Sequence, residues 1–208
     1  RSANPKWLAE IAHRNPIWIH SKDALRLSVR DGDLLKITTE IGWFVDKVWV
    51  TEAIKPGVVA CSHHIGRWRR HQDEGNRFMT NTVAIQNMGD GKWKMTTVSG
   101  VEPWKTVDAD TNRIWWRDGG VHQNITHAAN PDPISGAHCW LQKVTISKPE
   151  PGEKYGDIFV DTNKSFEHFK KWNEWAKERE THPDGLRRPL WMGRPLTPKT
   201  KQFYLDNS

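Results

Sequence analysis

The densest chemistry in the chain lies in Cys61-Ser62-His63-His64-Ile65-Gly66-Arg67-Trp68-Arg69-Arg70-His71. Guanidiniums fork onto phosphate oxygens, imidazoles donate or stack, and Gly66 lets a ligand come close to the backbone. The run follows Pro56-Gly57-Val58-Val59-Ala60, a turn leading into a β-branched apolar strand. A strand that delivers polar groups to its own end suits an anionic, ring-containing ligand. A solvated basic turn is the plainer alternative. A second polar stretch, Gly119-Gly120-Val121-His122-Gln123-Asn124-Ile125-Thr126-His127, sets amides and imidazoles after a double glycine. Such groups can wrap a heterocycle with many donors and acceptors. A polar loop with an ordinary glycine turn is the competing reading there.

Other chemistries fit these residues less well. Cys61, His63, His64 and His71 carry zinc-type donor atoms. Adjacent histidines on a strand face opposite ways, however, and no Cys-x-x-Cys or His-Glu-x-x-His accompanies them. Cys61 or Ser62 beside His63 has the atoms of a nucleophile and a base, yet sequence neighbours rarely reach the geometry. Cys61 fits a small buried hydrophobe better. No Walker or dinucleotide glycine pattern occurs. No catalytic residue and no metal ligand is therefore expected within the chain. The net charge of +6 and pI of about 9.4 favour anionic partners. Acidic residues are interleaved throughout, so no run reads as a nucleic-acid tail. Two cysteines, Cys61 and Cys139, make no metal knuckle and no disulfide framework. No apolar stretch is long enough to span a bilayer. The start at Arg1, without Met or a signal peptide, points to processing or to a piece of a longer polypeptide.

The elements that must position these groups follow from periodicity. Trp7–His13 suits one or two helical turns, ended by Asn15-Pro16. Ile17–His20 is a short strand, and Ser21–Leu27 a short helix with Ser21 as its cap. Asp31-Gly32-Asp33 turns the chain. Two period-two runs, Leu34–Thr39 and Trp43–Val50, flank Glu40-Ile41-Gly42 and predict a hairpin. Within residues 69–121, a polar and irregular stretch, only Thr82–Gln86 and Trp93–Val98 look strand-like. Trp140–Ser147 returns to strand character, and Ser165–Glu180 is an amphipathic helix. Its Phe166, Phe169, Trp172 and Trp175 face is expected to pack on the β structure, because a short lone helix is marginal in water. Thirteen tryptophans exceed what one small core absorbs. Several of Trp68, Trp93, Trp104, Trp115, Trp116 and Trp140 are expected at a surface that something else covers.

Taken in order, these pieces resemble the C-terminal molybdopterin dinucleotide-binding domain of the molybdopterin oxidoreductases of the dimethyl sulfoxide reductase family. The matching pieces begin with Asn15-Pro16-Ile17-Trp18-Ile19-His20-Ser21-Lys22-Asp23-Ala24, Val29-Arg30-Asp31-Gly32-Asp33 and Ile41-Gly42. They continue with Val50-Thr51-Glu52-Ala53-Ile54-Lys55-Pro56-Gly57-Val58-Val59, Asn124-Ile125-Thr126 and Asp132-Pro133-Ile134-Ser135-Gly136. The resemblance implies a mainly β fold, a six-stranded double-psi β-barrel of the aspartate decarboxylase-like kind, over residues 1–148. Residues 69–121 would be an irregular insertion, and 149–208 a C-terminal extension with one amphipathic helix. It implies bis-molybdopterin guanine dinucleotide, with molybdenum or tungsten, as the cofactor of the parent enzyme. Arg1, Ser2, Trp7, Cys61, Ser62, His63, His64, Arg67, Gln123, Asn124 and Thr126 are the cofactor-binding candidates carried over by position.

The family's metal-ligating residue and iron–sulfur cysteines lie in earlier domains, and nothing here replaces them. The isolated domain is accordingly expected to be inactive and to hold no cofactor tightly. The implied partners are the remaining domains of a prokaryotic catalytic subunit and an iron–sulfur electron-transfer subunit, without nucleic acid and without direct membrane insertion. A periplasmic setting is favoured over a cytoplasmic one. Two rivals come from other classes: a stand-alone nucleic-acid-binding small barrel, and a small hydrolase with a metal on His63, His64 and His71.

Overall fold

The computed structural model describes residues 12, 14–63, 68–70, 81–97, 107, 120–128 and 137–177. β1 (Ile17–Ile19) buries Ile17 and Ile19 and turns Trp18 outward. α1 (Ser21–Leu27) follows at once. Its cap is His20 rather than Ser21, which is already helical: His20 Nδ1 accepts the Lys22 N–H at 3.1 Å. The other ring nitrogen, Nε2, lies 3.0 Å from Glu52 Oε2.

β2 (Leu34–Thr38) and β3 (Gly42–Val50) form the expected antiparallel hairpin. Leu35, Ile37, Phe44 and Val48 face the core and are buried. Each such side chain stabilises the fold by about 1.5–3 kcal/mol relative to exposure. At the turn, Thr39 Oγ1 accepts the N–H groups of Ile41 at 3.3 Å and Gly42 at 3.1 Å. That closure folds Ile41 into the interior.

The remaining strands are β4 (Val59–Ala60), β5 (Trp68–Arg70), β6 (Asn81–Gly89), β7 (Lys92–Thr97), β8 (Thr145–Ser147) and β9 (Ile158–Asp161). β3 is the hub: it pairs parallel with β1 near one end, antiparallel with β9 near the other, and antiparallel with β2 along its opposite edge. The main path runs β4-β1-β3-β9-β7-β6-β5, with β2 and β8 branching from β3. Among the described residues this is an open mixed sheet and not the closed six-stranded double-psi barrel that the resemblance implies. Closure needs every strand paired on both edges. Here β4, β5 and β8 each have one described partner.

The stretch read as an irregular insertion supplies a regular hairpin: β6 is longer than the expected Thr82–Gln86 strand, and β7 lies one residue before the expected Trp93–Val98. Asp90 and Gly91 at its tip both have positive φ, as a tight hairpin turn requires. β9 lies in the stretch read as the C-terminal extension, yet it bridges β3 and β7. Gly42 makes that pairing close, since a Cβ there would run into the Phe159 carbonyl.

α2 (Thr162–Lys177) starts directly after β9. Two N–H groups of its first turn go to Asp161 Oδ1, from Asn163 at 3.1 Å and Lys164 at 3.3 Å, so Asp161 caps the helix, which begins three residues before the expected Ser165. Phe166 and Phe169 are exposed, contrary to the burial expected of that face, and meet edge to face at 6.4 Å. The side chains of Trp172 and Trp175 lie outside the described residues. Of the six tryptophans expected at a covered surface, Trp93 is half-buried and Trp140 is exposed, and the other side chains lie outside the described residues. The chain divides into two units: 1–128 with 141–165, which holds every described strand, and 129–140 with 166–208. No described helix is long and apolar enough to cross a membrane.

Candidate functional site

β4 ends at Ala60 because the next residues turn their hydrogen bonds toward a different segment. Cys61 Sγ donates to the Asn15 carbonyl at 2.9 Å. The Ser62 carbonyl accepts from Asn15 Nδ2 at 3.1 Å and from Gln123 Nε2 at 2.8 Å. The His63 carbonyl accepts from Asn124 Nδ2 at 2.8 Å. Two stretches about sixty residues apart, 61–63 and 121–126, therefore lie side by side.

The second stretch is held from beneath. Gln123–Thr126 makes one turn of 3-10 helix. Thr126 Oγ1 donates back to the Gln123 carbonyl at 2.7 Å, and Thr39 Oγ1 donates to the Thr126 carbonyl at 2.7 Å. Thr39 thus fastens this turn to the β2–β3 hairpin while closing the hairpin itself. Asn15 completes the joint. Its Nδ2 lies 2.8 Å from the Val121 carbonyl and 3.0 Å from Gln123 Oε1, and its Oδ1 accepts the Val121 N–H at 2.8 Å.

These bonds sort the sequence candidates by the direction their side chains face. Gln123 and Thr126 are buried, at 2% and 0% exposure, and their polar atoms serve the joint. Cys61 faces the same interior. Burial pushes its thiol well above the ordinary value of 9.0, and the Asp46 carboxylate adds to that. A thiol held protonated is a poor nucleophile and a poor metal ligand. Toward the outside lie His63, exposed, with Ser62 and Asn124 half-buried beside it. His122 and His127, at the two ends of the 3-10 turn, are half-buried as well. Asn124 Oδ1 is enclosed and has no hydrogen-bond partner among the described residues. His64, Arg67, Arg1, Ser2 and Trp7 lie outside the described residues. Among the described residues no group of three or more His, Cys, Asp or Glu is placed to hold a metal ion, and neither Cys61 nor Cys139 forms a disulfide.

Asn15 and Thr39 were not among the sequence candidates. Asn15 was visible as the residue before a proline and as the start of a piece matching the family, and Thr39 only as the end of an alternating strand. Neither position carries a local sign of contacts made more than eighty residues away.

Residues 1–92 match the family model of the molydopterin dinucleotide binding domain. Domains of the family bind the molybdopterin dinucleotide cofactor of molybdopterin oxidoreductases, which are enzymes. The matched stretch contains Asn15, Thr39 and the 61–63 loop, while the 121–126 loop lies beyond it. The residues present suit such a ligand. A hydroxyl, an amide and several imidazoles share one neighbourhood, and Asn124 Oδ1 is an acceptor with no donor among the described residues. A pterin or purine edge offers matching donors and acceptors.

Proposed function

We propose that this chain is the cofactor-binding part of a prokaryotic molybdenum or tungsten oxidoreductase catalytic subunit, holding bis-molybdopterin guanine dinucleotide on the face formed by the 61–63 and 121–127 loops. The observation that carries the reading is the direct bonding of these two distant loops, Gln123 Nε2 to Ser62 O and Asn124 Nδ2 to His63 O. When bound, the cofactor supplies the oxygen-atom and electron-transfer chemistry. The chain's own residues bind and orient it. Ser62 and Asn124 meet the heterocycle edges as donor and acceptor. His63, His122 and His127 add imidazoles that donate to phosphate or stack on a ring. Arg1, Ser2, Trp7, His64 and Arg67 complete the set of binding residues in this reading, and Arg67 would bring a forked cation for a pyrophosphate. Gln123, Thr126 and Cys61 act from behind, fixing the backbone whose shape the ligand meets.

In this reading the metal ligand and the iron–sulfur cluster come from upstream domains, and electrons pass to an iron–sulfur partner subunit. The double-psi barrel of the family is the arrangement we assign to the first unit in the assembled enzyme. The parallel β1–β3 pairing, with α1 and β2 between the two strands, supports that assignment. The reading is tested by titrating the isotope-labelled full chain with guanosine diphosphate, the soluble nucleotide end of the cofactor, and following backbone amides by NMR. Shifts grouped at 61–63 and 121–127 are expected. No response at millimolar nucleotide, or shifts confined to the Trp43–Phe159 side of the sheet, would overturn it.

A further inference from the structure

We infer that Asn15 is a positioning residue that joins the two loops of the cofactor face into one unit formed before any ligand arrives. What the face binds rests on the function proposed above; the joining itself does not. Asn15 is 1% exposed and stands immediately before Pro16 and β1, so its backbone is anchored by a strand of the central sheet. From that place one side chain reaches both loops. Nδ2 faces the carbonyls of Ser62 and Val121 and the amide oxygen of Gln123, at 3.1, 2.8 and 3.0 Å. Oδ1 takes the Val121 N–H at 2.8 Å. Its own carbonyl takes the Cys61 thiol at 2.9 Å.

A primary amide puts a donor and an acceptor side by side on one short planar group. Aspartate would keep the acceptor and lose the donor, leaving three oxygens facing a carboxylate. Leucine would lose both. Glutamine would carry an extra methylene into a closely packed site. Gln123 acts as the second strut, because its amide accepts from Asn15 at one end and donates to Ser62 at the other. Since these groups are buried, opening the joint leaves unpaired polar atoms away from water, which is costly. The loops therefore hold their spacing in the absence of ligand. A face with fixed spacing loses little conformational freedom on binding, and that favours affinity. It also means that disturbing one loop is felt at the other.

The test uses the full chain, isotope-labelled, with amide hydrogen exchange and the same guanosine diphosphate titration. In Asn15→Leu, the amides of Val121, Gln123 and His127 are expected to exchange about tenfold faster or more, while Val45 in the central sheet stays as in the unsubstituted chain. In Asn15→Asp, the Val121 amide keeps its acceptor and stays protected, while the nucleotide midpoint rises about tenfold. Unchanged loop exchange in Asn15→Leu would overturn the inference. So would equal acceleration at Val45, which reports loss of global stability alone. An unshifted nucleotide midpoint in Asn15→Asp would also count against it. If Asn15→Leu does not fold, Gln123→Leu carries the same exchange test through the second strut. A failure of the unsubstituted chain to respond to nucleotide would sink the cofactor reading, while the exchange data would still decide the joint.

Discussion

Cys61 is the residue at which the fold separates two readings of one neighbourhood. In the sequence it sits beside Ser62 and two histidines, yet fits a small buried hydrophobe better than a nucleophile. In the fold it donates to the Asn15 carbonyl, and burial followed by the Asp46 charge raises its pKa. The sign of the consequence is fixed. Below about pH 9 the thiol is protonated in both the folded and the unfolded chain. Above it the unfolded chain ionises first and the folded chain holds its proton. Stability therefore falls as pH rises, by up to about 1.4 kcal/mol per pH unit, until the folded pKa is reached. Denaturant titrations between pH 8 and 10.5 are expected to show a shallower decline for Cys61→Ala than for the unsubstituted chain. Parallel pH profiles would show that the thiol is not held in this way.

Among the elements, β3 decides the architecture, and the glycine that opens it differs in kind from the one in the turn before β4. At Gly42 the partner strand β9 comes so close that any side chain would strike the Phe159 carbonyl. At Gly57, in the turn before β4, there is open space where a Cβ would go, but φ is +78°. Asp23 Oδ2 of α1 holds this turn by accepting the Gly57 N–H at 2.6 Å. The two glycines are thus needed for different reasons, and alanine separates them. Gly57→Ala is expected to cost about 1–2 kcal/mol, the strain of a left-handed residue with a side chain. Gly42→Ala must displace backbone in a paired strand and is expected to cost more, about 3 kcal/mol or above. Urea midpoints of the two variants check the order, and an equal or reversed order would contradict the β3–β9 contact.

For the whole molecule, the unexpected feature is how late in the chain the central sheet is completed. β9 lies beyond the boundary expected at 148, and it joins β3 to the β6–β7 hairpin. Around it, Trp43 stacks on Phe159 at 6.0 Å, and Lys36 sits 4.3 Å over the Trp43 ring. Lys94, on β7, lies 3.6 Å from Asp157. A chain ending after Ser147 would lose the β9 pairings, the Trp43–Phe159 stack and the Lys94–Asp157 ion pair, and would expose the β3 and β7 edges together. Its melting temperature is expected to fall by about 10 °C or more, as a loss of roughly 3 kcal/mol or above does at this size, and soluble yield should drop with it. A truncated chain melting at the same temperature would show that β9 is dispensable.

What the sequence by itself determined was everything with a local cause. The β2–β3 hairpin, the short helix after β1, the turn at Pro56-Gly57 and the two polar stretches follow from side-chain period, turn residues and composition, all read within a dozen neighbours. The resemblance to the molydopterin dinucleotide binding domain was legible too, and residues 1–92 match that family's model. The tertiary structure decided which of those pieces touch and which way each side chain faces. It turned Cys61, Gln123 and Thr126 inward and His63 outward, made Asn15 and Thr39 the fasteners of the candidate site, and drew β9 into the centre of the sheet. The physical reason is the same in each case. A buried amide, hydroxyl or strand edge must find a partner, and here the partner was supplied by a segment tens of residues away, for which neither end carries a local mark.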